Sequence, residues 1–313
     1  MARRKDAEQF NRRDEQVAVD LLTQLHSTPR GRRALIILVV CAVLIAGGYW
    51  LITRHASSPA IAGPTVRIAT WNMHVFAPRP AIRLDTIASI IRSSKFDVVA
   101  MQEIRENGEE VDALLGQLNA SWHRSPFSAI TGNHERFVFI FNTDHVQEIG
   151  PAHSIDLSVA HQFSRTPYED TFQSGPFTFK LITCHLYYGE GSAGHQRRAH
   201  ETQLLAAYAN DEVLVRRVPD VIVLGDFNEM NGVEGNLHFF RDLGWETLNA
   251  DPTNLHGSEI YDNLLIDPKV MSQWDGTAGS IHFDLSFAGN DKLAVESVSD
   301  HRPAYADFLT GAH

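Results

Sequence analysis

Apolar residues in this chain fall in short runs that end on polar side chains. The clearest is Val221-Ile222-Val223-Leu224, followed by Gly225-Asp226-Phe227-Asn228. Four consecutive apolar residues, three of them β-branched, predict a strand buried on both faces that stops at Gly225. On extended chain Asp226 and Asn228 then point the same way, out of the end of a buried sheet. The same grammar recurs in residues 66–72, ending on Asn72, in 96–103, ending on Glu103, and in 177–185, ending on His185. A strand with a polar centre is predicted over 260–266, short strands over 122–149, and a last strand over 304–309, preceded by Asp300-His301. Helical spacing appears at Leu84, Ile87, Ile90 and Ile91, and at Val111, Leu114, Leu115 and Leu118. It returns in a long segment over 195–215 and a short one over 237–243. Helices separating several strands predict a mixed α/β fold with two sheets.

Residues 34–53 break the pattern, running twenty positions without a charge. At about 1.5 Å per helical residue such a run spans a bilayer core of about 30 Å. Arg30, Arg32 and Arg33 precede it and only Arg54 follows closely, which predicts a cytoplasmic N-terminus and everything later outside. The expected organisation is a cytoplasmic segment over 1–33, an uncleaved anchor over 34–53, a small-residue linker over 54–64 and a catalytic domain over 65–313. A cleaved signal peptide is the competitor, but both the polar lead and the apolar run are long for one.

Composition is that of a folded protein, 43% hydrophobic and 21% charged. The net charge of −11 is uneven. Nine Lys/Arg and five Asp/Glu occur through Arg54, leaving 18 basic against 33 acidic residues in the remainder. An acidic domain has no broad field for polyanions, so phosphate handling there calls for divalent cations and a few local arginines. Of the two cysteines Cys41 lies in the apolar run, so the domain carries no internal disulfide.

Five strand ends thus deliver polar groups: Asn72, Glu103, His185, the Asp226/Asn228 pair and the Asp300/His301 pair. Oxygen-rich donors suit Mg²⁺, with Mn²⁺ or Ca²⁺ as alternatives, and not zinc. Two histidines beside a hard cation suit proton transfer near neutral pH. Each signal has a plainer reading, a solvated turn or a hydrogen-bonded structural histidine; their number favours an enzyme. His123, His134, His145, His153 and His161 show no ligand spacing and are read as surface.

From about Val66 to Leu309 the chain resembles the endonuclease/exonuclease/phosphatase superfamily, through the motifs TWNMH, AMQEIR, ITCHL, VLGDFN and SDHRP. HERFVFIF, FSRTPY and IYDNLLI look like its deoxyribonuclease I branch. The resemblance implies a four-layer sandwich, two packed mixed β-sheets flanked by helices, here preceded by one transmembrane helix. It implies that Glu103, Asn72 and Asp300 hold the principal metal, and that Asp226 and Asn228 serve a second metal position or the scissile phosphate. His185 and His301 would be acid and base, oriented by Glu135 and Asp262, and Arg165 would contact a phosphate oxygen. Two departures are the missing disulfide near the site and Asn133 where that branch carries an aromatic.

The expected function is a membrane-anchored Mg²⁺-dependent phosphodiesterase acting on nucleic acid, DNA foremost, with the membrane as its other contact and no protein partner. The alternatives are a phospholipid or inositol-phosphate substrate for the same chemistry, and a degenerate binding module.

Overall fold

The computed structural model describes residues 64–78, 82–105, 107–155, 160–229, 235–257 and 259–311. The predicted cytoplasmic segment, membrane span and nearly all of the linker lie outside the described residues. Among the described residues no helix is long and apolar enough to cross a membrane.

Two sheets form the domain, their strands numbered here in chain order. The first has the order β12-β13-β1-β2-β4-β3, from β1 (Thr65–Phe76), β2 (Val98–Arg105), β3 (Trp122–Arg124), β4 (Glu135–Asn142), β12 (Trp274–Ser280) and β13 (Ala304–Leu309). The second has the order β10-β11-β9-β8-β7-β5. It is built from β5 (Gln147–Glu148), β7 (Tyr168–Ser174), β8 (Phe177–His185), β9 (Val221–Asp226), β10 (Glu246–Thr247) and β11 (Asp262–Ile266), with β6 (His153–Ser154) pairing β7. Both sheets are mixed: β1 runs parallel to β2 and β8 parallel to β9, while the other pairs are antiparallel.

Successive side chains of a strand point to opposite faces, and here both faces are covered. Ile68, Ala100, Phe139 and Phe141 of the first sheet meet Phe172, Phe179, Leu181 and Leu224 of the second in the central core. Phe172 packs edge-on against Phe139 and Phe141 at centroid distances of 5.7 and 5.3 Å. Each such ring contributes about 1.5–3 kcal/mol by leaving water. The outer face of the first sheet, Trp71, Val99 and Met101, is covered by α1 (Leu84–Ser93) and α2 (Glu109–Gln117) through Ile87, Ile91, Val111 and Leu114. The outer face of the second, Ile182, Cys184 and Val223, is covered by α3 (Gly191–Leu214) through Leu205 and Ala209 and by α4 (His238–Asp242) through Phe240. The layers are helix, sheet, sheet, helix.

The structure differs from the sequence pattern in a few elements. Strand β9 does not stop at Gly225 but passes through it to Asp226. Gly225 sits at φ +143°, and a Cβ there would lie 2.0 Å from the carbonyl oxygen of Cys184, so only glycine lets β9 lie against β8 at this point. Strand β7 was unpredicted because acids occupy its buried positions. Glu169 is balanced by Lys180 at 3.2 Å and by the Tyr208 hydroxyl at 2.8 Å. Edge strand β12 and the short helix α5 (Asp291–Ser297) also carry too little apolar pattern to read; α5 is capped by Asn290, which accepts from Leu293 N at 3.0 Å.

One polar tie crosses the core. Gln102 Nε2 donates to Thr70 Oγ1 at 2.9 Å and, across the gap between sheets, to Thr183 Oγ1 at 3.0 Å. At the opposite end of β1, Pro64 O accepts from both the backbone N and the Oγ1 of Thr310 at 2.9 Å.

Candidate active site

Strand polarity gathers the polar strand ends. The parallel pairs β1/β2 and β8/β9 finish at one edge of the sandwich, with His185 in register with Asp226. Antiparallel neighbours bring their starts to the same edge: Glu135 on β4 lies opposite Arg105, Asp262 on β11 opposite Asp226, and His301 precedes β13. A cleft of about 470 Å³ opens there, lined by Asn72, Glu103, Asp226, Asn228, Asp300 and both histidines among others. Asp262, fully buried, stands behind His301.

The cleft straddles the two sheets, and each histidine is held by a carboxylate from the other sheet. His185 Nδ1 lies 2.8 Å from Glu135 Oε2, and His301 Nδ1 lies 2.7 Å from Asp262 Oδ2. The far nitrogens converge on one oxygen, Asp226 Oδ2, at 3.6 Å from His185 Nε2 and 3.9 Å from His301 Nε2. Asn72 Nδ2 completes the bridge, donating to Glu103 Oε1 at 3.1 Å and to Asp226 Oδ2 at 2.9 Å.

Charge sets the protonation of these pairs. Burial would raise the Glu135 carboxyl, but the His185 hydrogen bond and the charges of His185 and Arg165 outweigh it and hold the group at about 2. His301 is pushed up to about 10: burial opposes its charge, yet Asp262, Asp226 and Asp300 together favour it. Asp300 is lowered, burial being outweighed by the neighbouring His74 and His301.

Arg165 lines the cleft from within its wall. It is 5% exposed. Nε and Nη2 grip Glu135 at 2.7 and 3.2 Å, while Nη1 reaches the carbonyls of His185 and Leu186 at 3.5 and 3.3 Å. Its fork grips the carboxylate that holds His185, so it braces that dyad. Asn228 Nδ2 is likewise turned to the Leu186 carbonyl at 2.9 Å. The sequence reading also passed over Arg105, which lies 3.8 Å from Glu103 Oε2, and Tyr188, His256 and Tyr261 on the cleft wall. Only Arg105 carried a signal, two residues after Glu103 on one strand. The five histidines read as surface are exposed.

The family model for the endonuclease/exonuclease/phosphatase family matches residues 69–304, which include every strand end just described. The chain belongs to that family. Solved structures of similar fold include a mannosyl-6-phosphatase from Bacteroides thetaiotaomicron, 13% identical, covering 78% of this chain and 99% of that one at TM-score 0.56. D. rerio TDP2 complexed with a single-strand DNA product is 16% identical, with coverage of 79% and 99% and TM-score 0.56. The 3′ phosphatase NExo from Neisseria, bound to a product DNA hairpin, is 17% identical, with coverage of 78% and 99% and TM-score 0.57. No curated protein matches the chain in sequence.

Endonuclease/exonuclease/phosphatase enzymes are phosphoesterases that depend on divalent metals, and the donor set fits such an ion. Two groups could hold one, Glu103–Glu135–His185 and Asp226–Asp262–His301, each with ligand atoms within 4.8 Å of one another. Asp262 Oδ1 is buried and accepts no hydrogen bond, an acceptor that such an ion could satisfy.

Proposed function

We propose that the chain is a metal-dependent phosphodiester hydrolase acting on nucleic acid, DNA foremost. The observation that carries the reading is the convergence of two carboxylate-held imidazoles on Asp226. When water attacks a phosphodiester, the bond to the leaving oxygen breaks and that oxygen needs a proton, while the water must lose one; of two imidazoles facing one oxygen-lined point, one gives the proton and the other takes it. His301, surrounded by Asp262, Asp226 and Asp300, holds its proton firmly and is the donor to the leaving oxygen. His185, with Nδ1 engaged by Glu135, presents Nε2 to take the proton from water. Glu103, Asp226 and Asp300, with Asn72, are the groups that would hold the cation, Mg²⁺ foremost, which when bound neutralises charge on the phosphate. Glu135 and Asp262 fix ring orientation, as the carboxylate of a catalytic triad does. With none of these groups missing from the cleft, a degenerate binding module is the weaker reading.

The proposal includes tethering by residues 34–53 with the domain outside the cytoplasm, resting on the uncharged span and the arginines before it. The test is hydrolysis of plasmid DNA, RNA, sphingomyelin and a soluble inositol phosphate, with and without Mg²⁺, by the chain and its His185→Ala variant. Nicking of plasmid that needs both metal and His185 is expected. Faster turnover of sphingomyelin or inositol phosphate would replace the nucleic-acid substrate, and metal-independent activity would overturn the reading.

A further inference from the structure

Tyr188 lines the cleft, takes no part in the dyads and is 61% exposed. The loop that presents it is nevertheless held from both sides. Leu186 N donates to the Asp226 carbonyl at 2.9 Å, which ties the loop to the strand ends of the site. Tyr187 N donates to Glu201 Oε2 at 2.8 Å, and Arg198 Nη1 donates to the carbonyls of Tyr187 and Gly189 at 3.2 and 3.4 Å. Glu201 and Arg198 stand on α3, and both are buried. A Cβ at Gly194 would lie 2.3 Å from the Gly189 carbonyl oxygen, so the loop rests directly on the first turn of that helix. Burying an ion is costly unless it is hydrogen-bonded, and here the backbone on either side of Tyr188 meets part of that need. The fold thus fixes the main chain of a residue whose ring it leaves open. Little freedom remains to be lost when something flat settles on such a ring, which is what a binding platform requires.

Charge narrows what settles there. Beyond Arg54 the chain carries 18 basic against 33 acidic residues, so a run of phosphates gains little from the field of the domain. Stacking of a base on an aromatic ring gives affinity without charge and tolerates any sequence, since every base has a π-face. Inside a duplex both faces of a base are taken by its neighbours; an unpaired base has a face to offer. Tyr188 follows His185 by three residues, at most about 11 Å of extended chain, so a base on its ring belongs to a nucleotide adjoining the phosphate at the histidines. We propose that Tyr188 is a stacking platform for an unpaired nucleobase next to the scissile phosphate, which makes single-stranded nucleic acid the preferred form of the substrate. The inference rests on the nucleic-acid reading and adds to it the strand form and the residue that selects it. A tyrosine that met the phosphate through its hydroxyl, or that only packed the loop, makes different predictions.

The test uses short single strands of DNA with one scissile phosphodiester, the other linkages being uncharged methylphosphonates. Either a base or an abasic residue is placed on each side of the scissile linkage, and each strand is also supplied annealed to its complement. The full chain is assayed with Mg²⁺ beside Tyr188→Ala and Tyr188→Phe. In the parent protein a base on one side should raise kcat/KM about 5- to 150-fold over the abasic strand, chiefly through KM, the range a stacked base is worth. That ratio and the preference for single strand over duplex should both fall toward one in Tyr188→Ala and persist in Tyr188→Phe. Should the alanine variant be unstable, Tyr188→Leu, bulky but without a π-face, repeats the measurement. A ratio of one in the parent, a ratio that survives loss of the ring, or its loss in Tyr188→Phe would overturn the platform and leave hydrolysis of DNA standing. Duplex cleaved as fast as single strand by the parent would overturn the strand preference. Failure to cleave any of these strands would overturn that preference where plasmid is still nicked, and the nucleic-acid reading as well where it is not.

Discussion

Glu135 serves three partners, His185, Arg165 and, at 3.4 Å, Arg105, and replacing it with glutamine separates its effect on the histidine from its effect on the arginines. Its carboxylate accepts from His185 Nδ1 and from two Arg165 nitrogens at 2.7 and 3.2 Å while 3% exposed. A carboxyl lowered from 4.5 to about 2 is stabilised by roughly 3 kcal/mol at about 1.4 kcal/mol per unit. The sign is that of a depressed acid: the stabilisation is present above pH 4.5 and is lost as pH falls toward 2. Glu135→Gln also leaves the buried Arg165 without its counter-charge, a break of the kind that costs about 3–5 kcal/mol. Melting temperature should therefore fall by roughly 6–20 °C for a domain of this size. Turnover should fall too, but through His185 alone, whose own removal costs on the order of 10² to 10⁴. The two effects part in the double variant. In a His185→Ala background, Glu135→Gln should change turnover by less than about 3-fold, because its catalytic effect passes only through that imidazole. The loss in melting temperature should remain nearly whole, because Arg165 is still present. Plasmid nicking beside calorimetric melting on the four proteins measures both. Rate losses that multiply in the double variant would refute the dyad argument, and an unshifted melting temperature would refute the Arg165 pairing.

The His301 dyad makes a prediction about pH. His301 is raised to about 10, so its contribution to stability is complete below pH 6.5 and is lost as pH climbs through 10. Asp262→Asn removes the chief raising influence, and the alkaline limb of the pH–rate profile should move acidward by at least about one unit. A limb that stays in place would remove His301 as its source. Gln102→Leu should lower stability by roughly 1–3 kcal/mol in denaturant melts, since it strands the hydroxyls of Thr70 and Thr183. Adding Thr70→Val and Thr183→Val should recover most of it; no recovery would mean the tie does not carry the cost. Gly225→Ala should yield little soluble protein, since a Cβ would meet backbone at 2.0 Å, and a normally melting variant would refute the close approach of β8 and β9.

The elements legible in the sequence were those whose cause is local. A run such as 221–224 buries itself on both faces whatever surrounds it, so β9 and the strands ending near Asn72, Glu103 and His185 could be read directly. Strand β7 could not, because Glu169 is tolerated only where β8 brings Lys180 and α3 brings Tyr208. The site divides in the same way. Strand alternation marks Asp226, but nothing local pairs Glu135 with His185 or Asp262 with His301; those pairings came from resemblance, and their partners sit on opposite sheets. The brace that Arg165 lends Glu135 was illegible for the same reason, its carboxylate being thirty residues away.

The hydrogen bonds between Pro64 and Thr310 bear on how this chain could be rewired. Both residues lie at the sheet edge opposite the cleft, since β1 runs about 23 Å from Thr65 to Asn72 at about 3.3 Å per residue. The turn at residues 268–270, after β11, falls at that same distant edge, because β11 runs antiparallel to β9. A short peptide joining 310 to 64, with new ends opened in that turn, would reorder the sequence while every catalytic strand end kept its neighbours. The cleft is thus indifferent to where the polypeptide starts, and a circular permutant or an insertion placed at that edge inherits an intact mouth.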